Sequence, residues 1–430
     1  MEPVLILSYF YPPCNLTASQ RTDAWVRYFP EFGLEPILIT RNWDIPIKNQ
    51  YDINLPTGEK ERVEKLDIGE VHYLPFKGNL RDRIQAKHGP DSKKLIRRLL
   101  TMWELFAQNY TNSAIPYNNM LDKAREILKA RPEIKKLIVS TNPYQQFAFA
   151  YQLKKEFPRL EWYADYRDDW TTRELNAQSG TLFKIIRSIE AKSEKKWLSN
   201  STGIISVTEV LTDRISRFLN KPGFTALNGF FEEDFTELSS QNKSDSFVFN
   251  YTGYLYNDQP VEQVTEAFKK LIEKYSGMID IVFRFLGTAY HPPSKERILL
   301  AANGIESNMD VTERISRQEC LQFEADADAF IMMPYIGHKG IPGSKLYQYL
   351  GHNKPIILYP SDDDIIERTI KDANSGFVCR SEEEFIEQCS RLIDHKIESG
   401  SNLKLDSHPE LYSRRYSTKQ IAELLKGSNS

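Results

Sequence analysis

From Gly337 the chain reads Gly337-His338-Lys339-Gly340-Ile341-Pro342-Gly343-Ser344-Lys345-Leu346-Tyr347-Gln348-Tyr349-Leu350-Gly351, then Lys354-Pro355-Ile356-Ile357-Leu358-Tyr359. This order predicts a glycine-containing loop, a helix with a marked start, a stop, and a buried strand. Pro342 suits a first helical turn, where its missing N–H would have gone unpaired. Gly343 and Ser344 leave the backbone N–H groups of that turn open, and Lys345 adds a full positive charge. Free N–H donors, the positive end of a helix and a lysine together make an anion site. The other reading is an ordinary capped helix whose lysine sits in solvent.

Around this stretch, helical and strand patterns alternate. Upstream lie strands over 247–251, 279–286 and 329–333 and helices over 261–275 and 293–302, with a capping box Ser316-Arg317-Gln318-Glu319 opening another helix. Downstream, 363–373, 376–379 and 385–394 continue as helix, strand and helix. A second capping box, Ser417-Thr418-Lys419-Gln420, starts a terminal helix running to Leu425. The N-terminal half repeats the scheme. Strands are expected over 4–9, 35–40, 70–74, 137–140, 162–166, 203–207 and 224–227, and helices over 20–32, 144–157, 181–198 and 210–219. Residues 43–91 read as a long irregular excursion holding only the strand at 70–74. Ser92 to Ala107 is a basic amphipathic helix, Lys93, Lys94, Arg97 and Arg98 beside Leu95, Leu99, Trp103 and Phe106. It either lies on a membrane surface or packs its apolar stripe on the domain. Polar residues 239–245 look like a linker. The expectation is two α/β domains, 1–238 and 246–409, with a terminal segment 410–430. Each has an open parallel sheet with ligand loops at the strands' carboxyl ends, and the two face each other across a cleft.

Composition narrows the class. The 430 residues are 40% hydrophobic and 27% charged, with a formal charge of −3, which is not the basic footprint of a nucleic-acid binder. Cys14, Cys320, Cys379 and Cys389 are scattered and form no metal or disulfide framework. With no secretory leader pattern and no apolar run of spanning length, a cytoplasmic protein, soluble or at most membrane-associated, is expected. After the first strand stands Tyr11-Pro12-Pro13-Cys14-Asn15-Leu16-Thr17, without the glycines of a dinucleotide fingerprint, and Gly337 and Gly340 have the wrong spacing to Lys345 for a P-loop. Hydride transfer and nucleoside triphosphate hydrolysis are poorly supported.

Leu5 to Pro13, Ser19-Gln20-Arg21, Phe32 to Pro36, Asp165-Tyr166-Arg167-Asp168-Asp169-Trp170, Leu227-Asn228-Gly229-Phe230, Tyr251 to Tyr256, Ile341 to Leu350 and Lys354-Pro355-Ile356 occur in this order along nearly the whole chain. As an ordered set they resemble glycosyltransferases of family 4, which have the two-domain GT-B fold with Rossmann-like halves. The resemblance implies a hexosyltransferase-type enzyme. It would move a sugar from a nucleoside-diphosphate sugar (UDP- or GDP-linked) to a glycan or lipid-linked acceptor, usually with retention, in surface-glycan or glycoconjugate assembly. It also implies a terminal helix that packs back on the N-terminal domain, a donor mainly on the C-terminal domain, an acceptor mainly on the N-terminal one, and no bound metal or permanent cofactor.

On that reading Lys345, with the N–H groups near Gly343 and Ser344, neutralises the leaving diphosphate, and Gly253-Tyr254 is a second phosphate-facing loop. Gly287-Thr288 and Val311-Thr312 stand where the family's loops hold the base. Two departures are visible. The family's E-x7-E falls here on Gly340 and Gln348, so the first carboxylate is missing and the second is an amide able to bond ribose hydroxyls. The glycine-rich loop after the first strand is replaced by Asn15, Leu16, Thr17 and Ala18. On the acceptor side, Asp168 follows a strand end beside Arg167 and Asp169, where a carboxylate can take a proton from a hydroxyl; an Arg–Asp pair fixing the loop is the alternative. Ser19, Arg21, Asn142 and Arg167 are the acceptor-binding candidates, Arg21 either holding an anionic acceptor or serving structure. His338 lies in the donor loop, where solvation is the plainer reading.

Overall fold

The apolar run after Met1 becomes β1 (Glu2–Ser8), an inner strand of an eight-stranded sheet in the computed structural model. The structure describes residues 1–45, 47, 52–89, 92–172, 180–238 and 246–427. The 239–245 segment read as a linker lies outside the described residues. Strand β1 is covered on both faces, which is why Val4, Leu5, Ile6 and Leu7 form an uninterrupted apolar run and are all fully buried.

The first unit comprises Met1–Leu227 and Thr418–Ser430. Its other strands are β2 (Leu34–Arg41), β3 (Arg62–Lys65), β4 (Glu70–Leu74), β5 (Lys136–Ser140), β6 (Glu161–Tyr166), β7 (Gly203–Ser206) and β8 (Gly223–Thr225). The order is β3-β4-β2-β1-β5-β6-β7-β8. The helices are α1 (Gln20–Tyr28), α2 (Leu80–His88), α3 (Lys94–Ala107), α4 (Asn119–Ala130), α5 (Gln146–Glu156), α6 (Thr181–Leu198) and α7 (Glu209–Leu219). The second unit, Asn228–Ser417, holds β9 (Ser246–Thr252), β10 (Asp280–Leu286), β11 (Met309–Val311), β12 (Ala329–Met332), β13 (Ile356–Leu358) and β14 (Gly376–Val378). They form a parallel sheet ordered β11-β10-β9-β12-β13-β14. Its helices are α8 (Val261–Lys274), α9 (Pro292–Ala301), α10 (Arg317–Ala325), α11 (Gly343–His352), α12 (Ile365–Asp372) and α13 (Glu382–Ser399). A last helix, α14 (Arg414–Lys426), ends the described chain, and its Ile421, Ala422 and Leu425 join the cluster of Val4, Ile6, Trp25 and Phe29.

Three expectations need correction. The 43–91 excursion is not irregular throughout: β3 pairs antiparallel with β4, so the first sheet is mixed at its edge, and α2 follows. What orders it is Arg41, a fully buried cation the pattern could not single out. Its guanidinium donates to the Thr57 hydroxyl at 2.7 Å and the Ile53 carbonyl at 2.6 Å, and lies over Trp43 at 3.9 Å and Phe76 at 4.0 Å. Helix α4 is an element beyond the expected set, seated by a buried stripe of Met120, Leu121, Ala124, Ile127 and Leu128. Finally, Ser417 is not a cap. Helix α14 opens at Arg414, and the Ser413 hydroxyl accepts from the Tyr416 N–H at 3.1 Å.

Candidate functional site

Helix α11 is ten residues long and begins directly after Pro342, with Gly343 at φ +68° as its first residue. Leu346, Tyr347, Tyr349 and Leu350 are buried and seat it on the sheet. Lys345, Gln348 and His352 recur three and four residues apart, so one face of the helix is polar. Lys345 and Gln348 of that face line a cavity of about 230 Å³ together with Thr252, Gly253, Tyr254, Tyr256, Glu324, Tyr335 and Ser344. Gly253 directly follows β9 and takes φ +85°, and its N–H donates to the Leu286 carbonyl at 2.7 Å. A side chain there would meet the Lys345 Cε at 3.6 Å. The cavity thus lies where a strand's carboxyl end meets a helix N-terminus.

The Lys345 amine donates to the Tyr251 hydroxyl at 2.9 Å and the Tyr254 carbonyl at 3.1 Å, 4.6 Å from the centre of the Tyr251 ring. Burial pulls its pKa down to about 7, with no carboxylate raising it again. Tyr251 is held by the buried Gln259, whose amide oxygen sits 2.8 Å from the phenol. A cation with only neutral partners, beside an unfilled first turn, is a ready acceptor of a bound anion.

The carboxylate absent from Gly340 and Gln348 arrives from another helix. Glu324, fully buried on α10, accepts from the Thr252 hydroxyl at 2.6 Å and the Gln348 amide at 2.5 Å, and its Oε2 lies 2.9 Å from His352 Nε2. Helix α10 is started by the Ser316–Glu319 box, both of whose bonds form. At its far end the Lys354 amine meets the Ala325 and Ala327 carbonyls.

Not every donor candidate reaches this cavity. Gly287, Thr288, Val311 and Thr312 are not in its lining. Their polar groups tie the loops together instead: Thr288 donates to the Gly253 carbonyl at 2.8 Å, and the Gly287 N–H donates to the Thr312 hydroxyl at 2.9 Å. His338 is exposed, 3.4 Å from Asp258.

At the carboxyl ends of the first sheet the candidates separate into two groups. Arg21 is buried and its Nε meets both Asp165 oxygens, at 2.9 and 3.1 Å, while Nη1 donates to the Ala226 carbonyl at 3.0 Å. It serves structure, because its charge is consumed inside the unit. Ser19 donates to the Cys14 and Leu16 carbonyls at 3.0 and 2.8 Å, closing its own loop. Arg167 donates to the Ala18 carbonyl, and burial lowers its pKa. These three are corrected from acceptor ligands to loop fasteners. Asp169 pairs with Arg214 at 2.7 Å. Asp168, by contrast, is exposed, touched by the Asn142 amide at 3.5 Å, with its backbone carbonyl held by Tyr144 at 3.1 Å. Asn142 also lines a second cavity of about 300 Å³, walled by Tyr9, Phe10, Phe76, Asp82, Glu104 and Tyr117 among others.

No protein-family model and no curated protein sequence matches the chain. Solved structures do. A glycosyltransferase from Rickettsia africae ESF-5 has a TM-score of 0.60 at 12% identity, covering 100% of this chain and 99% of that one. The catalytic domain of starch synthase IV from Arabidopsis thaliana, bound to ADP and acarbose, scores 0.52 at 12%, covering 100% and 97%. A putative UDP-N-acetylglucosamine 2-epimerase from Listeria monocytogenes scores 0.50 at 11%, covering 99% and 96%. The fold is GT-B.

Within this GT-B chain, Glu324 is the site residue that motif reading missed. A signal existed: it is a carboxylate beside Leu321 and Ala325 on the buried face of α10. Charged groups occupy such positions only when partnered. Glu324→Ala would strand the Thr252 hydroxyl and the Gln348 amide. A loss of about 1–3 kcal/mol is expected in urea unfolding of the full chain, with Glu324→Gln losing less. Equal stability of the alanine variant would show that the cluster holds nothing in place.

Proposed function

We propose that the protein is a glycosyltransferase that moves a sugar from a nucleoside-diphosphate sugar, UDP- or GDP-linked, to an acceptor hydroxyl in surface-glycan or glycoconjugate assembly. The observation that carries this reading is the Lys345 amine, without a carboxylate partner, beside the open first turn of α11 in a cavity at a strand's carboxyl end. A diphosphate presents oxygens that both an ammonium and backbone N–H groups bind well. Gln348 and Glu324 supply a donor and an acceptor for sugar hydroxyls in the same cavity. In the reaction the bond from the anomeric carbon to the diphosphate breaks, and the acceptor oxygen bonds to that carbon with retention. The departing oxygen's charge falls to Lys345 and the α11 N-terminus. Asp168 takes the acceptor's proton. Its carboxylate is exposed, whereas Asp165 and Asp169 are committed to Arg21 and Arg214.

The test is a thermal-shift series with nucleoside diphosphates and nucleotide-sugars. A ligand at 100 times its Kd adds about 2.7 kcal/mol of stability. A shift with one base and a larger one with its sugar conjugate is the expected outcome; no shift with any of them sinks the reading. A second reading, a nucleotide-binding partner without turnover, draws on Ser19, Arg21 and Arg167 being spent inside the first unit. Nucleotide binding without transfer across a broad acceptor panel would favour it. Sugar-nucleotide epimerisation is compatible with the same fold and is separated by product formation in the absence of acceptor.

A further inference from the structure

Leu95, Ile96, Leu99, Met102, Trp103 and Phe106 project from α3 with 37–71% of each residue exposed. Leu95, Leu99, Met102 and Phe106 follow a helical repeat, so they form one stripe. Just past the helix, Tyr110 is 77% exposed and its ring lies 5.0 Å from that of Phe106, lengthening the stripe. The alternative from the sequence, a stripe packed on the domain, is overturned, because Ala107 is the one buried residue of α3. The opposite side, with Thr101, Glu104 and Leu105, faces the 300 Å³ cavity. An exposed apolar surface of this extent marks an interaction site.

Charge says what the surface meets. Residues 80–110 hold seven Lys or Arg against three Asp or Glu, a local excess of +4 in a chain of net −3. The cations lie outside: Arg83, Lys87, Lys93, Lys94 and Arg98 are exposed. Two of the three acids are turned in, Asp82 buried at the α2 cap and Glu104 bonded to Asn79 at 2.6 Å. An apolar stripe with a tryptophan, flanked by exposed cations, is the composition that lies in the interface of an anionic bilayer. Among the described residues no helix is long and apolar enough to cross a membrane.

We propose that α3 is an interfacial helix that seats the first unit on an anionic lipid surface. Its inner side walls the cavity that includes Asn142, so on the glycosyl-transfer reading, and only there, the acceptor is a saccharide anchored in that bilayer. The seat itself does not rest on that reading.

The experiment is cosedimentation of the full chain with vesicles of phosphatidylglycerol and phosphatidylcholine in equal parts, and with phosphatidylcholine alone. Binding to the anionic vesicles is expected, weakened by salt. The exposed double variant Leu99→Glu/Phe106→Glu should lower it at least about tenfold, with melting and nucleotide binding unchanged. Trp103→Phe should abolish most of the fluorescence quenching by brominated lipid. Absence of vesicle binding, or wild-type binding by the double variant, would overturn the proposal. So would a dimer, seen by sedimentation velocity, that the double variant dissociates, since the stripe would then belong to a second copy of the chain. No sugar enters the vesicle assay, so its failure is distinguishable from failure of the transferase reading.

Discussion

Lys345→Ala is expected to weaken nucleoside-diphosphate binding about 10- to 150-fold, since a hydrogen bond to a charged group is worth about 1.5–3 kcal/mol. Turnover should fall further, by about 10²–10³, because charge on the diphosphate grows as it departs. Titration calorimetry and initial rates measure the two. The same lysine carries a pH signature. With its pKa pulled down to about 7, the free protein holds the amine largely neutral at pH 8. A bound diphosphate raises that pKa, so binding at pH 8 takes up a proton and affinity falls as pH rises above 7. In buffers of different ionisation enthalpy, the apparent binding enthalpy should therefore differ at pH 8 and converge below pH 6. Stability has the opposite slope. Between about 7 and the ordinary lysine value near 10.5, the unfolded chain holds a proton the folded one has lost, so this group makes stability rise with pH there. Below pH 7 both states are protonated and the desolvation cost is paid in full. Lys345→Met should accordingly stabilise the fold near pH 6 while weakening nucleotide binding as Lys345→Ala does. If Lys345→Met instead left binding and its proton uptake intact, the lysine would not be the diphosphate ligand.

Arg21→Ala is expected to destabilise the first unit by about 3–5 kcal/mol, because it leaves the fully buried Asp165 carboxylate without its cation. At about 2–4 °C per kcal/mol for a domain of this size, the melting temperature should drop by about 6–20 °C. Asp165→Ala should act similarly, freeing the guanidinium and the Ser140 hydroxyl that donates to Asp165 at 2.8 Å. The double replacement Arg21→Met/Asp165→Leu should recover much of the loss, since it removes both charges together. A drop of under about 3 °C for Arg21→Ala, well below the interval expected for a buried pair, would return Arg21 to the acceptor-ligand reading. The pair joins α1, β6 and the Ala226 carbonyl after β8, so it fixes the mouth of the sheet from which Asn142 and Asp168 project.

Much of the α/β order was legible because central strands buried on both faces must be apolar throughout. Val4–Leu7 and Ile356–Leu358 are such runs. The helix start at Pro342-Gly343 was legible because its chemistry is local. Strand β3 and helix α2 were not. The chain around them is fastened by Arg41, whose partners run from Trp43 to Phe76, 35 residues along the chain, a contact no periodicity contains. At the candidate site the local part, Gly343 to Gln348, could be read directly. The assignment of Arg21 could not, because a buried ion pair and a ligand-binding arginine have the same sequence. Asp165 stands 144 residues away and only the sheet brings it near.

The stretch around Lys345 divides in the same way. By itself the sequence determined a helix with an open first turn, a lysine within it, and a polar face carrying Gln348. Those follow from backbone rules acting over one or two turns. Tertiary structure alone decided that the lysine amine is desolvated against Tyr251, and that Glu324 of another helix supplies a carboxylate to Gln348. Burial and cross-chain proximity set the charge and reach of a side chain, and both come from packing between segments distant in sequence.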